Sequence, residues 1–223
     1  MAHEHGHHHH DHGHGHHDHG EGADLGHGPG AGKRFPFHKM DRLDSAERQA
    51  RQPADKLVEL VAEGRPETIL DIGVGTGYFA LPLLDALPGA KVTGLDVEPR
   101  MLGVLVGRAL ERGVFDRVDT FEVPRDDAER LPTPEDAFDA AIMVNFLHEL
   151  DDRPGYLAGV RRTVKAGGRF VVCDWDAEGD AEHGPPLEIR VPVDVATAEL
   201  KAAGFEKVTR HDLYPNFFTL VCE

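Results

Sequence analysis

The sequence of 223 residues has little of three things: cysteine, basic charge and long apolar runs. Its two cysteines, Cys173 and Cys222, lie in apolar runs typical of strands, so we expect reduced, buried thiols and no disulfide framework. No apolar run approaches the length needed to span a bilayer, and no segment resembles a secretory signal. These absences together predict a cytoplasmic protein.

The charge balance limits the class of partner. Acidic residues outnumber basic ones, 40 against 24, and the formal net charge is -16 with neutral histidines. Binding to nucleic acid or to an anionic membrane would bring like charges together, so we expect neither. The length suits one well-packed domain plus a tail. A small molecule is the partner that fits, and nothing in the sequence indicates an oligomeric state.

Residues 1–32 consist largely of His, Gly, Asp and Glu. Such a segment cannot bury enough apolar surface to offset the entropy of ordering, so it is predicted to be a disordered tail. Its density of imidazoles predicts binding of Ni²⁺ or Zn²⁺ through alternative ligand sets without one fixed geometry. The candidate metal ligands are His7, His8, His9, His10, His12 and His14. An expression tag or a passive low-complexity tail would explain the same composition.

The rest of the chain divides into a cap segment with a helix at 33–66 and one domain at 67–223, in which strands alternate with helices. Strands are predicted near 68–72, 91–96, 117–122, 138–144 and 169–175, and helices near 77–87, 99–112, 153–165 and 194–203. Two last strands, near 205–211 and 216–222, are too close together for a parallel crossover. The predicted fold is α/β, a Rossmann-like sheet of seven strands, mostly parallel with an antiparallel C-terminal strand, and with helices on both faces.

The segment 69–77 places an acid and three alternating glycines where a strand gives way to a helix. Glycines let a ligand approach the main chain closely, and the helix presents its unpaired N–H groups. The pattern can be aligned with a dinucleotide fingerprint that ends at Ala80, with Asp96 placed for a ribose contact. Asp71, however, would repel a pyrophosphate and attract an ammonium or sulfonium. A positively charged ligand group is therefore favoured.

Four motifs follow one another along the chain: LDIGVGTG at 70–77, GLDV at 94–97, DAERLP at 127–132 and KAGGRF at 165–170. In this order they resemble the motifs of the class I S-adenosylmethionine-dependent methyltransferases, over residues 35–223. The last motif departs from the family in having Ala166 where proline is usual. The pattern is similar to the branch that includes quinone-biosynthesis C-methyltransferases and many small-molecule methyltransferases. The resemblance implies S-adenosylmethionine as the cofactor and a small organic molecule as the methyl acceptor.

The resemblance also implies roles for the residues of the first two motifs. Asp71 would face the amino end of the cofactor, and Gly73, Gly75 and Gly77 would line its methionine and ribose portions. Asp96 would take both ribose hydroxyls, as a carboxylate at the end of a strand can. The structural alternatives are that Asp71 caps the following helix and that Asp96 only forms a turn.

Further candidates lie in the third motif and after the fourth strand. Asp127, with Ala128 beside it, would meet the adenine amino group, and Val97 or Leu131 would supply an apolar wall for the ring. Asn145 would lie where the methyl group emerges. His148 is the candidate base that removes a proton from the acceptor, although a helix-capping or core-edge histidine explains it equally well.

Two segments outside the predicted sheet are expected to cover the site, 35–51 on the cofactor side and 177–193 on the acceptor side. Two other functions stay open: a nicotinamide-dependent oxidoreductase, and a metal-handling protein whose cofactor-binding scaffold no longer does chemistry. The arsenite branch of the family is set aside, because metalloid capture needs a cluster of thiolates and the chain has two dispersed cysteines.

Overall fold

A computed structural model describes residues 37–124 and 131–223. Its sheet has the strand order β3-β2-β1-β4-β5-β7-β6. Strands β1 to β5 run parallel, and β7 is antiparallel to both of its neighbours, β5 and β6. The strands are β1 (Thr68–Ile72), β2 (Lys91–Asp96), β3 (Val118–Glu122), β4 (Phe138–Val144), β5 (Val164–Trp175), β6 (Val208–His211) and β7 (Phe217–Cys222). The predicted fold class is confirmed.

Helices cover both faces of the sheet. They are α1 (Ala46–Arg51), α2 (Ala54–Ala62), α3 (Ala80–Ala86), α4 (Pro99–Glu111), α5 (Arg153–Thr163) and α6 (Val193–Ala202), and a 3₁₀ helix, Phe37–Asp44, precedes α1. One apolar cluster joins the sheet to α2, α3 and α4, and the other joins it to α5 and α6. Successive strand residues such as Ile69 and Leu70 belong to opposite clusters, because side chains alternate along a strand. Both faces are therefore buried, as is usual for parallel sheets.

One helix and one strand begin later than predicted, for backbone reasons. The helix expected from residue 77 begins at Ala80, since Gly77 has φ +86° and cannot start a right-handed helix. The strand expected from 205 begins at Val208. Phe205 instead donates its N–H to the Leu200 carbonyl at 3.3 Å and closes the end of α6.

Strand β5 is longer than predicted, because it begins at Val164 and not at 169. Its pairing with β4 shifts register between Phe138 and Ala140, which face Val164 and Arg169 respectively. The extra residues of β5 form an irregularity with Gly167 at φ +76°. A bulge of this kind ends regular pairing without ending the strand.

The parallel strands bring their carboxyl ends to one edge of the sheet. Asp71 and Asp96 lie at the ends of β1 and β2, Asn145 follows β4, and Asp174 lies near the end of β5. In open α/β sheets this edge is where ligands bind. Within the described residues no helix has both the length and the apolarity needed to cross a lipid bilayer.

Candidate functional site

The loop from β1 to α3 has a backbone that only glycine adopts easily. Gly73 and Gly77 have φ angles of +73° and +86°. A Cβ on Gly73 would lie 2.9 Å from Cδ2 of Phe146, and one on Gly77 would lie 2.5 Å from Cδ1 of Leu105. The loop therefore combines a left-handed backbone with close packing, and any side chain at these two positions would displace a neighbour.

Asp96 fixes the loop from the neighbouring strand. Its Oδ2 accepts a hydrogen bond from the Gly75 N–H, and its Oδ1 accepts one from the Glu98 N–H, both at 2.9 Å. Burial raises the pKa of this carboxyl above its usual value. The bond to Glu98 forms the turn after β2, so Asp96 does have the turn-forming role that was the structural alternative. A carboxylate can accept about four hydrogen bonds, and two ribose hydroxyls therefore still match its remaining capacity.

Asp71 is a buried acid, with 4% of its surface exposed. It does not cap the following helix, whose N-cap is Phe79. No side chain or loop amide of the described segments donates a hydrogen bond to its carboxylate. Burial, and after it the nearby charge of Asp96, raise the pKa of Asp71 to about 7 against the opposing charge of Arg48. An acid in this state fits a ligand that brings a positive charge.

The segment before the sheet contacts this loop. Leu43 lies over Gly75, with its Cδ1 3.4 Å from the position of a Cβ there. The Asp44 carboxylate accepts hydrogen bonds from Thr76 Oγ1 at 3.0 Å and from Arg108 Nη2 at 2.8 Å. The described part of the predicted cofactor-side cover is thus attached to the loop and to helix α4.

Arg48 projects from α1 toward the same loop. Its Cζ lies 4.3 Å from the centre of the Tyr78 ring, and its Nη1 donates to the Leu43 carbonyl at 2.9 Å. Its Nε is buried without a hydrogen-bond partner in the described chain. Burial lowers the pKa of this guanidinium, while the charges of Asp44 and Asp71 attract it.

Asn145 joins the cover to the end of β4. It has φ +57°, and its N–H donates to the Cys173 carbonyl at 2.8 Å. Its Nδ2 donates to Oε1 of Gln52 at 2.9 Å, and Gln52 is only 1% exposed. This buried amide pair holds the junction of α1 and α2 against the carboxyl ends of β4 and β5.

His148 forms a buried pair with Asp174. The distance from His148 Nδ1 to Asp174 Oδ1 is 2.7 Å, and the His148 N–H donates to Oδ2 at 3.0 Å. Burial lowers the pKa of His148, but Asp174 more than offsets this, so the pKa is raised overall. In the neutral ring, a proton on Nδ1 facing the carboxylate leaves the lone pair on Nε2.

The segment after β5 wraps around Trp175. Arg190 is buried, donates from Nε to the Pro185 carbonyl at 2.9 Å, and lies with its Cζ 5.3 Å from the centre of the Trp175 ring. His183 in this segment has its Nε2 3.6 Å from Glu47 of α1. The predicted acceptor-side and cofactor-side segments therefore meet above the carboxyl edge of the sheet.

The predicted site residues divide into those at this edge and those outside the described residues. The edge brings together Asp71, Gly73, Gly75, Gly77, Asp96, Asn145 and His148, and Val97 packs beside them against the α5 and α6 cluster. Asp127, Ala128 and the tail histidines from His7 to His14 lie outside the described residues. In the part of the chain that is described, no group of three or more His, Cys, Asp and Glu is arranged to hold a metal ion.

Sequence reasoning missed four polar residues of the site: Asp44, Arg48, Gln52 and Asp174. Asp174 carried a usable signal, since it is an acid that follows a run of buried apolar residues in β5. The other three belong to the cover, whose sequence has no motif. Their positions depend on how the chain turns at Pro53, between α1 and α2.

The glycine loop, the acids on β1 and β2, and the antiparallel β7 inserted between β5 and β6 define a Rossmann-like cofactor-binding domain. Residues 69–168 match a family model described as a methyltransferase domain. Demethylmenaquinone methyltransferase of Tropheryma whipplei (strain Twist) is 38% identical over 109 residues, which are 49% of this chain and 42% of that protein. Over these residues the chain is similar to methyltransferase domains.

Solved structures agree on the fold. A SAM-dependent methyltransferase from Aquifex aeolicus superposes with a TM-score of 0.74 at 23% identity, covering 85% of this chain and 98% of that one. The cyclase SpnF gives a TM-score of 0.61 at 30% identity, covering 73% of this chain and 61% of that one. The chain spans about half the length of the curated relatives that it matches first.

Proposed function

We propose that this protein transfers a methyl group from S-adenosylmethionine to a small organic acceptor. The observation that carries the proposal is Asp71, a buried acid at the mouth of a glycine loop, with no hydrogen-bond donor among the described side chains. A cofactor with an ammonium group supplies the missing charge, whereas the pyrophosphate of a nicotinamide dinucleotide would meet repulsion there. The geometry therefore favours the methyl donor over the dinucleotide.

The chain's own residues would hold and shield the donor. Asp96 would accept ribose hydroxyls, Val97 and Asp127 would contact the adenine, and the glycines would allow close approach of the methionine portion. The cofactor, when bound, supplies a methyl group already activated on a sulfonium. Transfer then depends mainly on placing the acceptor and excluding water, which the two cover segments would do.

His148 is the proposed general base. Asp174 holds its Nδ1 at 2.7 Å and fixes the ring, so Nε2 is the nitrogen free to take a proton from the acceptor. Asp174 acts through His148 and is a positioning residue. A base of this kind typically contributes about 10²- to 10⁴-fold to the rate.

The acceptor class follows from relatives and from the acceptor side. The relatives matched first are named demethylmenaquinone methyltransferases, which supports an aromatic, quinone-type acceptor. Trp175 at the end of β5 belongs to this side, but it is only 9% exposed and Arg190 packs on its ring, so the segment around it would have to move for the ring to contact an acceptor. The acidic net charge supports a small-molecule partner over nucleic acid or an anionic membrane.

The proposal is tested by measuring cofactor binding with calorimetry. The probe is S-adenosylhomocysteine, which is what remains of the methyl donor after transfer. Asp96→Ala is expected to weaken binding more than about tenfold, or ~1.4 kcal/mol, because it removes the ribose acceptor. Asp119→Ala changes an exposed acid on the neighbouring strand β3 and is the matched control, expected to bind like the wild type. Absence of binding to the wild-type protein would reject the function.

The base is tested separately with labelled methyl donor and a panel of quinols, phenols and amines. His148→Gln should lower kcat without a matching change in cofactor affinity. Asp174→Asn should shift the pH profile of kcat to lower pH, because it removes the main group that raises the pKa of His148. A purely structural pair would give lower thermal stability with an unchanged pH profile.

We also propose that the tail, residues 1–32, binds Ni²⁺ or Zn²⁺. The support is its composition, with imidazoles interleaved with acids. Tight binding should disappear when residues 1–32 are deleted, while S-adenosylhomocysteine affinity stays the same. Metal binding that survives the deletion would contradict this assignment.

A further inference from the structure

Trp175, the last residue of β5, is covered from two sides. The segment after it, which we call the strap (residues 176–190), brings Gly184 so close that a Cβ there would lie 2.6 Å from the indole Cδ2. From α1, Arg51 lies with its Cζ 5.7 Å from the ring centre. A planar acceptor can therefore stack on this ring only if the strap and α1 separate.

The strap is braced from within. The guanidinium of Arg190, which is buried, donates from Nε to the Pro185 carbonyl at 2.9 Å and from Nη1 to the Asp176 carbonyl at 3.1 Å. Its Nη2 donates to the carbonyl of His183. These bonds hold the two ends of the strap close together, as in other compact surface loops. Separation is therefore expected where the strap meets α1, and not inside the strap.

An ion pair at the surface crosses that junction. Nε2 of His183 lies 3.6 Å from Oε1 of Glu47 in α1, and the two side chains are 39% and 67% exposed. Nδ1 of His183 lies 3.1 Å from Oδ1 of Asp180, which belongs to the strap itself, and Arg51 pairs with Glu47 within α1. The last two pairs each lie within one element. Opening the junction would therefore break the contact of His183 with Glu47 and leave the other two in place.

The charge of His183 sets the strength of the contact across the junction. The ring faces two carboxylates, Glu47 and Asp180, and two guanidinium groups, Arg51 and Arg190. Histidine is the side chain whose charge ordinarily changes between pH 5 and 8. The closed junction places Glu47 beside the ring and so binds the proton more tightly than the open one. Closure is therefore favoured at low pH and is lost as the pH rises.

We propose that the strap and α1 form a gate that admits a planar aromatic acceptor to Trp175, and that the contact of His183 with Glu47 is its pH-dependent clasp. Protonation of the imidazole shifts the gate toward the closed form, and the neutral ring releases it. The role in acceptor entry rests on the proposed function, whereas the clasp can be tested without the methyl donor. Because an acceptor would bind the open form alone, its apparent affinity falls with the fraction of protein that is open.

The test follows the binding of 1,4-naphthoquinone, a planar aromatic probe, by the quenching of Trp175, the one tryptophan of the chain. The quantity compared is the ratio of its affinity at pH 8 to its affinity at pH 5.5. An exposed ion pair is weak, so this ratio should be only about two- to fivefold larger in the wild-type protein than in Glu47→Gln. His183→Gln should give the same small ratio as Glu47→Gln. Glu182→Gln changes another exposed acid of the strap and is the control that should keep the wild-type ratio.

The comparison between proteins isolates the clasp. A contribution from the titration of His148 is common to all four proteins and cancels. Equal ratios in the wild-type protein and in Glu47→Gln would overturn the clasp, and absence of quenching at both pH values would overturn Trp175 as the residue that an acceptor contacts. Failure to bind S-adenosylhomocysteine is measured separately and would reject the proposed function, whatever the gate does.

Discussion

Asp71→Asn should stabilise the protein free of ligand, and it should do so most at high pH. In the folded state the pKa of Asp71 is raised from 3.8 to about 7, first by burial and then by Asp96. The native protein therefore holds a proton that the unfolded chain releases, and stability falls as pH rises from 3.8 through about 7. An asparagine fills nearly the same volume and carries no charge to bury.

The size of the effect follows from the shift of the pKa. At pH 8 the ionised Asp71 costs about 4 kcal/mol, and at pH 5, where the folded acid is protonated, roughly 1.5 kcal/mol, at 1.36 kcal/mol for each pKa unit. Denaturant unfolding of the wild type and of Asp71→Asn at both pH values measures the difference. The stability gain of the variant should more than double from pH 5 to pH 8.

The same substitution should weaken cofactor binding, since the amide cannot replace the charge that attracts an ammonium. Affinity of the wild-type protein for S-adenosylhomocysteine should fall about tenfold per pH unit below pH 7, where binding must first remove a proton. The variant should show no such slope. A variant less stable than the wild type at pH 8, or a gain independent of pH, would refute the reasoning about Asp71.

Three further predictions concern the scaffold and are checked by denaturant unfolding. Gly77→Ala should destabilise by ~1–3 kcal/mol, because the residue has φ +86° and a Cβ would lie 2.5 Å from Leu105. Gly107→Ala, inside α4 with open space around it, should stabilise by up to about 1 kcal/mol. Burial alone would raise the pKa of Asp139, but hydrogen bonds, first that from Lys165, lower it to about 2. Asp139→Asn should therefore cost about 1 kcal/mol above pH 4, an effect lost as pH falls toward 2.

The strands of the sheet and the helices that connect them were predictable because each leaves a local pattern in the sequence. Strands β1 and β4 are largely apolar and almost wholly buried, and glycines, Gly113 and Gly204, follow the ends of α4 and α6. The acids Asp71 and Asp96 were predictable because a strand end fixes both their position and their direction. The positions of Asp71 and Asp96 therefore depend only on the sequence within a few residues of each.

The cover over the site was not predictable in its details. Arg48 and Gln52 reach the site because the chain turns at Pro53 and packs against residues far along the sequence, such as Asn145 and Cys173. The pairing of His148 with Asp174 joins two strand ends that are separated by helix α5. Such contacts arise from tertiary packing and leave no periodic pattern in the sequence.

The fold by itself does not decide the reaction, since the cyclase SpnF shares it. What separates the candidate functions here is the charge at the mouth of the loop. The buried acid Asp71 suits the ammonium of an amino-acid end, whereas a pyrophosphate would be repelled there.

The most direct measurement is a calorimetric titration of the wild-type protein at pH 8 with S-adenosylhomocysteine, and then with NAD⁺. The account predicts one site that binds S-adenosylhomocysteine in the micromolar range or tighter, with no measurable binding of NAD⁺. Binding of NAD⁺ in preference to S-adenosylhomocysteine, or binding of neither, would contradict it.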